Sequence, residues 1–148
     1  MALLYAVDTN VLLRLSNRND PQHNLIAQAM LRLSDRGVQF CFTLQSLGEF
    51  WNVSTRALDR NGLCLSVQET SRPFQTLVDT MKLLPETNDV SAVWQDLMLA
   101  NEVRGVQVHD AHIAAVLEVH RIQHLLTLNG RDFKRFVHVI PVHPHDVL

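Results

Sequence analysis

The segment Leu3-Leu4-Tyr5-Ala6-Val7-Asp8-Thr9-Asn10-Val11-Leu12-Leu13 decides the fold. Leu3 to Val7 is an apolar run of strand length with no polar alternation, the pattern of a strand covered on both faces, as in a parallel sheet. The run stops at a carboxylate, and a second apolar run follows at once with helical spacing. A buried strand thus passes directly into a helix, with Asp8 at the junction. In an open α/β sheet the carboxyl ends of the strands are where sites form.

Two more acids occupy equivalent places. Glu49 lies in Leu47-Gly48-Glu49-Phe50-Trp51, just after Val38-Gln39-Phe40-Cys41-Phe42, and Asp110 opens Asp110-Ala111-His112-Ile113-Ala114-Ala115-Val116-Leu117. Charged groups in apolar surroundings are costly unless something pairs with them. Two carboxylates 4 Å apart repel by about 4 kcal/mol at an effective dielectric of 20. Three together are stable in the ionised form mainly around a cation. Oxygen-only donors suit Mg²⁺ or Mn²⁺, and such ions can activate water and neutralise phosphate in phosphodiester hydrolysis. Taken singly, Asp8 and Asp110 also fit plain helix N-caps, and Glu49 an exposed helix position.

Outward from the first segment, short apolar runs alternate with amphipathic ones, which predicts a single α/β domain over residues 1–148. Strands are expected near 3–7, 38–42, 83–85, 125–128 and 137–140. Helices are expected at 9–15, from an Asp20-Pro21 cap to Leu33, from a Thr43 cap to Leu58, and from a Ser66–Glu69 capping box to Met81. A further helix runs from an Asn88 cap to Gly105, and the one opened by Asp110 is apolar nearly all round. The tail Pro141 to Leu148 reads as an extended surface segment.

Composition narrows the function. The chain has 148 residues, 47% hydrophobic and 19% charged, which is ordinary for a globular domain. No apolar run approaches the ~18 residues that span a bilayer. The apolar start lacks a basic leader and runs into Asp8, so a cytoplasmic protein without membrane association is expected. Cys41 and Cys64 form no CxxC pair and read as free thiols. A net charge of −2 gives no global attraction for nucleic acid. The thirteen basic residues comprise eleven Arg and two Lys, a choice that suits bidentate phosphate contacts and equally fits a genomic bias.

The order and spacing of four segments resemble the PIN-domain nucleases. They are Val7-Asp8-Thr9-Asn10-Val11-Leu12, Ser46-Leu47-Gly48-Glu49-Phe50, Val108-His109-Asp110-Ala111-His112-Ile113-Ala114-Ala115, and Leu126-Thr127-Leu128-Asn129-Gly130-Arg131-Asp132-Phe133. The resemblance covers essentially the whole chain and is greatest to the VapC ribonuclease toxins of VapBC toxin–antitoxin pairs. It implies a three-layer sandwich with a mostly parallel sheet of four to five strands. It implies an Mg²⁺- or Mn²⁺-dependent endoribonuclease, with Asp8, Glu49 and Asp110 as catalytic metal ligands and Thr9 or Asn10 in support. A VapB-like antitoxin and a homodimer built on residues 21–33 and 43–58 follow from it, with Leu25, Ile26, Met30, Leu44, Leu47 and Trp51 as the expected contact.

The fourth segment departs from the fully acidic pattern. Asn129 stands where many members carry an acid, and Asp132 is either a further ligand or the cap of a short helix. Asn129 leaves open a catalytically weak RNA-binding module with the same fold. A nuclease for structured DNA is disfavoured by the chain's length. Arg131 and Arg14 are the leading RNA-binding candidates. His109 and His112 flank Asp110 and are candidates for substrate contact. The absence of HExxH, P-loop, GxGxxG and GxSxG motifs removes the common alternatives.

Overall fold

The computed structural model describes residues 3–148. Five strands form one sheet: β1 (Leu3–Val7), β2 (Val38–Thr43), β3 (Lys82–Leu84), β4 (His124–Leu126) and β5 (Ile140–Val142). Their order is β3-β2-β1-β4-β5, and every neighbouring pair is parallel. Six α-helices connect them: α1 (Thr9–Ser16), α2 (His23–Asp35), α3 (Leu44–Thr55), α4 (Val67–Thr80), α5 (Val90–Ala100) and α6 (Gln107–Val119).

The pleat divides the core in two. Ala6, Cys41 and Leu125 face α6 and the inner side of α5, where Ile113, Val116 and Leu117 are buried. Val7, Phe42 and Leu126 face the opposite way, against Leu12, Ile26, Leu47, Phe50 and Leu77 of α1–α4. Successive residues of one strand therefore serve different helical layers, which is why the strands read as continuous apolar runs. The expected three-layer α/β architecture is the observed one.

Several local expectations are corrected. Asp20 does not cap α2: its carboxylate accepts from the Gln22 amide at 2.8 Å in a turn, and α2 begins at His23. Helix α3 ends at Thr55, and Leu58–Arg60 is a separate 3-10 turn. Helix α5 starts after Asp89 rather than an Asn88 cap, and it stops at Ala100, leaving Gly105 in a loop with φ +56°. Helix α6 begins at Gln107, so Asp110 lies inside its first turns and is not an N-cap. The fourth strand is shifted toward its amino end, and Thr127 and Leu128 follow it.

The fifth strand is Ile140–Val142, not 137–140. Val137 is 95% exposed, in a turn closed by the Val139 amide on the Phe136 carbonyl. Pro141 sits inside this strand because β5 is an edge, where one missing donor is tolerated. The tail is not extended: Pro144–Val147 forms a 3-10 turn, and Val147 is buried in the core beside α2. Of the residues expected at a dimer contact, Ile26, Met30 and Leu47 fill the monomer core instead. Leu44 remains 54% exposed, and Trp51 packs edge-on against Phe74.

Where sequence chemistry was explicit, local structure follows it. Thr43 caps α3 through the Ser46 amide, and Ser66 with Glu69 completes a capping box on α4. Among the described residues, no helix is long and apolar enough to cross a membrane.

Candidate metal centre

Because all strands are parallel, the ends of β1, β2, β3 and β4 open on one edge of the sheet. The strand order reverses between β1 and β4, and a crevice forms where chains leave in opposite directions. Asp8 lies at that point. It is buried, and its amide donates to the Leu126 carbonyl at 2.9 Å, continuing the ladder one residue beyond the strand.

The Asp8 carboxylate is held from three sides. The Thr9 amide donates to Oδ1 at 2.8 Å, the Thr127 hydroxyl to Oδ2 at 2.7 Å, and the Asn10 amide to Oδ2 at 3.3 Å. Asp8 is thus a helix cap and a member of the acid cluster at once. Burial raises its pKa above the usual carboxylate range, against the lowering effect of the Thr127 and Thr9 donors; Glu49 and Asp132 raise it further.

Glu49, on α3, approaches Asp8 from the β2 side. The Thr9 hydroxyl donates to Oε2 at 2.9 Å, and the Gln45 amide, one turn earlier, donates to Oε1 at 2.8 Å. Asp110 enters from α6. Burial, then the charges of Asp132, Asp8 and Glu49, push its pKa up to about 7, with only Arg135 acting the other way. Four acids from four segments therefore share one electrostatic neighbourhood.

Asn129 and Asp132 are both exposed, and the charge of Asp132 acts on Asp8 and Asp110. Asn129 is exposed at the start of the 3-10 turn Gly130–Phe133, and its backbone amide donates to the Thr127 hydroxyl at 3.0 Å. Asp132 lies within that turn and does not cap it, since Asn129 holds the cap position. Thr9 and Asn10 have distinct tasks. Thr9 orients Glu49, whereas Asn10 bridges Asp8 and the Leu128 amide, which its Oδ1 accepts at 3.1 Å.

The arginines divide as well. Arg131 and Arg135 line a cavity of about 230 Å³ with Asp110, Asp132, Gln107 and Phe136. Arg14 is committed elsewhere: it donates to the Gln22 side chain at 2.8 Å and to the Asn10 carbonyl at 3.0 Å, joining α1 to the start of α2. His109 is exposed on a second, larger groove of about 890 Å³ that runs past Glu49, Leu44, Gly48 and Val106. His112 faces inward and is stacked on Trp94. His138 bonds the Ala114 carbonyl, and the His143 ring accepts from the His145 backbone amide, which gives both rings structural partners.

The donor set fits a hard divalent cation. It is all oxygen, and the raised pKa of Asp8 and Asp110 records the cost of ionising these carboxyls without one. Among the described residues, no three acidic or imidazole groups converge on one point as a finished cage.

Sequence reading misses the roles of Thr127, Gln45 and Glu86, whereas Arg135 is among the arginines it places at the rim. Thr127 was visible as a hydroxyl inside an apolar run, and Gln45 as a partner one helical turn before Glu49. Glu86 carries no local signal.

A parallel five-stranded α/β domain with acids gathered at its switch point is the arrangement that the sequence resemblance implied. A model of the PIN-domain family matches residues 5–139, and the chain belongs to that family. Among solved structures, VapBC2 from Rickettsia felis bound to a DNA fragment from its promoter is similar at a TM-score of 0.71 and 16% identity, over 95% of this chain and 98% of that one. VapBC-1 from nontypeable Haemophilus influenzae has the same TM-score and identity, over 96% and 98%. VapC20 from Mycobacterium tuberculosis, a toxin that cleaves the sarcin–ricin loop, is similar at 0.66 and 18%, over 88% and 93%. Sequence comparison with curated proteins gives no match.

Proposed function

We propose that this chain is a divalent-metal-dependent endoribonuclease, cytoplasmic, and the toxin of a type II toxin–antitoxin pair. The observation that carries the reading is that Asp8, Glu49, Asp110 and Asp132 share one electrostatic neighbourhood at the β1/β4 switch point, where burial first and then the other three acids push Asp110 up to about 7. Asp8, Glu49 and Asp110 would hold Mg²⁺ or Mn²⁺, with Asp132 beside them. When bound, the ion supplies charge neutralisation at the phosphate and activation of a water for attack on phosphorus.

The chain's own residues do the rest. Thr127 and the Thr9 amide fix the Asp8 carboxylate, and Thr9 with Gln45 fixes both oxygens of Glu49. Asp110 gives up its carboxyl proton when the site is loaded. Arg131 and Arg135 line one cavity with Asp110 and would receive a backbone phosphate through charge-assisted hydrogen bonds, Arg135 from its contacts to the Asn101 carbonyl and Gln107. RNA enters along the groove past His109.

The solved neighbours that are complexes support an antitoxin partner. Here an arginine-bearing peptide would find the acidic site at the end of the groove lined by Leu44, Gly48 and Val106. A homodimer is part of the same reading, now through the exposed Leu44 and the half-buried Trp51 and Phe74 rather than the buried Ile26 and Met30. The test is cleavage of single-stranded RNA by purified protein with Mn²⁺, with chelator, and as Asp8→Asn. Metal-dependent cleavage lost in Asp8→Asn supports the reading; RNA binding without cleavage in every condition would replace it with the binding-module reading. Sedimentation at micromolar concentration reads the dimer, which Leu44→Glu should dissociate.

A further inference from the structure

Glu49 is the end of a chain of side chains that begins on the far edge of the sheet. Glu86 follows β3, and its Oε1 lies 2.6 Å from His112 Nε2. The other ring nitrogen of His112 bonds Gln45 Oε1. Gln45 Nε2 donates to Glu49 Oε1 at 2.8 Å and to the His109 carbonyl at 3.0 Å. Both neighbours of that nitrogen are acceptors, which fixes the Gln45 amide with its oxygen toward the ring. His112 is itself immobilised. Its ring stacks on Trp94 with centroids 4.3 Å apart and planes 18° from parallel, and Trp94 Nε1 donates to the Val108 carbonyl at 3.1 Å.

We propose that His112 is a positioning residue: held by Glu86 and Trp94, it sets Gln45, and Gln45 sets the carboxylate of Glu49 for the cation. The proposal rests on the reading of Glu49 as a metal ligand. Without this linkage only Thr9 would orient Glu49, and the carboxylate would turn about its last bond. Residues standing behind a ligand in this way change metal affinity or activity by about 10- to 100-fold when removed. Both ring nitrogens and one face are occupied by protein, although the residue also lines the groove past Glu49.

The variants separate the links. His112→Phe keeps the stack and loses both hydrogen bonds. His112→Asn places an amide near the nitrogen that faces Gln45 and gives up Glu86. Gln45→Met removes the middle link without touching the ring. Calorimetric Mn²⁺ titration and RNA cleavage are read together. His112→Phe and Gln45→Met should each weaken Mn²⁺ binding about tenfold and lower kcat with KM for RNA unchanged. The double variant should be no worse than either single one, and His112→Asn should recover most of the loss. Unchanged Mn²⁺ affinity in His112→Phe and Gln45→Met, or a raised KM as the main effect, would overturn the proposal. If the parent protein binds no Mn²⁺ and cleaves nothing, the nuclease reading fails by itself. The linkage is then judged by the side-chain carboxyl ¹³C resonance of Glu49. A shift in His112→Phe that reverts in His112→Asn supports it, and a resonance that stays in place in His112→Phe overturns it.

Discussion

The hydroxyl of Thr127 donates to Oδ2 of Asp8 at 2.7 Å, from the residue after β4 to the residue after β1. It is the largest influence opposing burial at the Asp8 carboxyl. Thr127→Val keeps the shape and removes the donor. A hydrogen bond to a charged group contributes about 1.5–3 kcal/mol, so Mn²⁺ affinity should fall by at least tenfold. Thr127→Ser should bind nearly as the parent does. Calorimetry on the three proteins decides; equal affinity in all of them would remove Thr127 from the site.

Stability of the metal-free protein should fall as pH rises. Asp110 has its folded pKa raised from 3.8 to about 7, so the folded state holds the proton more tightly than the unfolded one. The stabilisation is fully present below pH 3.8 and is lost as pH climbs through 7. Asp8 shifts in the same direction. Solvent screens this half-exposed carboxyl, which leaves about 1–2 kcal/mol, or roughly 3–8 °C in Tm. Thermal melts in chelator from pH 4 to 8 should show the decline, and Asp110→Asn should flatten it.

Asp8→Asn should abolish cleavage without costing stability in the absence of metal. The substitution removes one of the like charges that raise Asp110. Mn²⁺ should raise the Tm of the parent and leave that of the variant unchanged, since only an ion bound to the folded state stabilises it. A metal-free variant that melts far below the parent would make Asp8 a structural residue.

Asp132 rather than Asn129 should be the fourth acid. Asp132 is the largest charge contribution raising Asp110 and also acts on Asp8. Asp132→Asn should weaken metal binding and move the acid limb of the activity profile downward. Asn129→Asp, at the cap position of the turn, should alter the isotherm less. A stoichiometry rising toward two ions in Asn129→Asp, with no effect of Asp132→Asn, would reverse these assignments.

The layers and the three principal acids were legible because they rest on local chemistry. Apolar runs of strand length, the Thr43 cap and the Ser66–Glu69 box each announce themselves within a few residues. Errors cluster where tertiary contact overrides local pattern. Val137-His138-Val139-Ile140 looks like a strand, yet only Ile140 enters the ladder, because Phe133 and Phe136 turn into the core just before it. The tail carries two prolines and still folds, because Val147 finds a place in the core beside α2. The linkage behind Glu49 was illegible for another reason. Glu86, His112 and Gln45 lie far apart in sequence, and nothing local marks any of them as partners.

The pairing of β1 with β4 sets a time at which the site can exist. Val7 pairs with Leu126, and 118 residues separate them. The Asp8 carboxylate is synthesised well before its Thr127 donor. Contacts this distant form only after the intervening chain has closed its loop. Until β4 slots beside β1, Asp8 lacks its Thr127 donor, so the finished centre waits for the chain as far as Thr127.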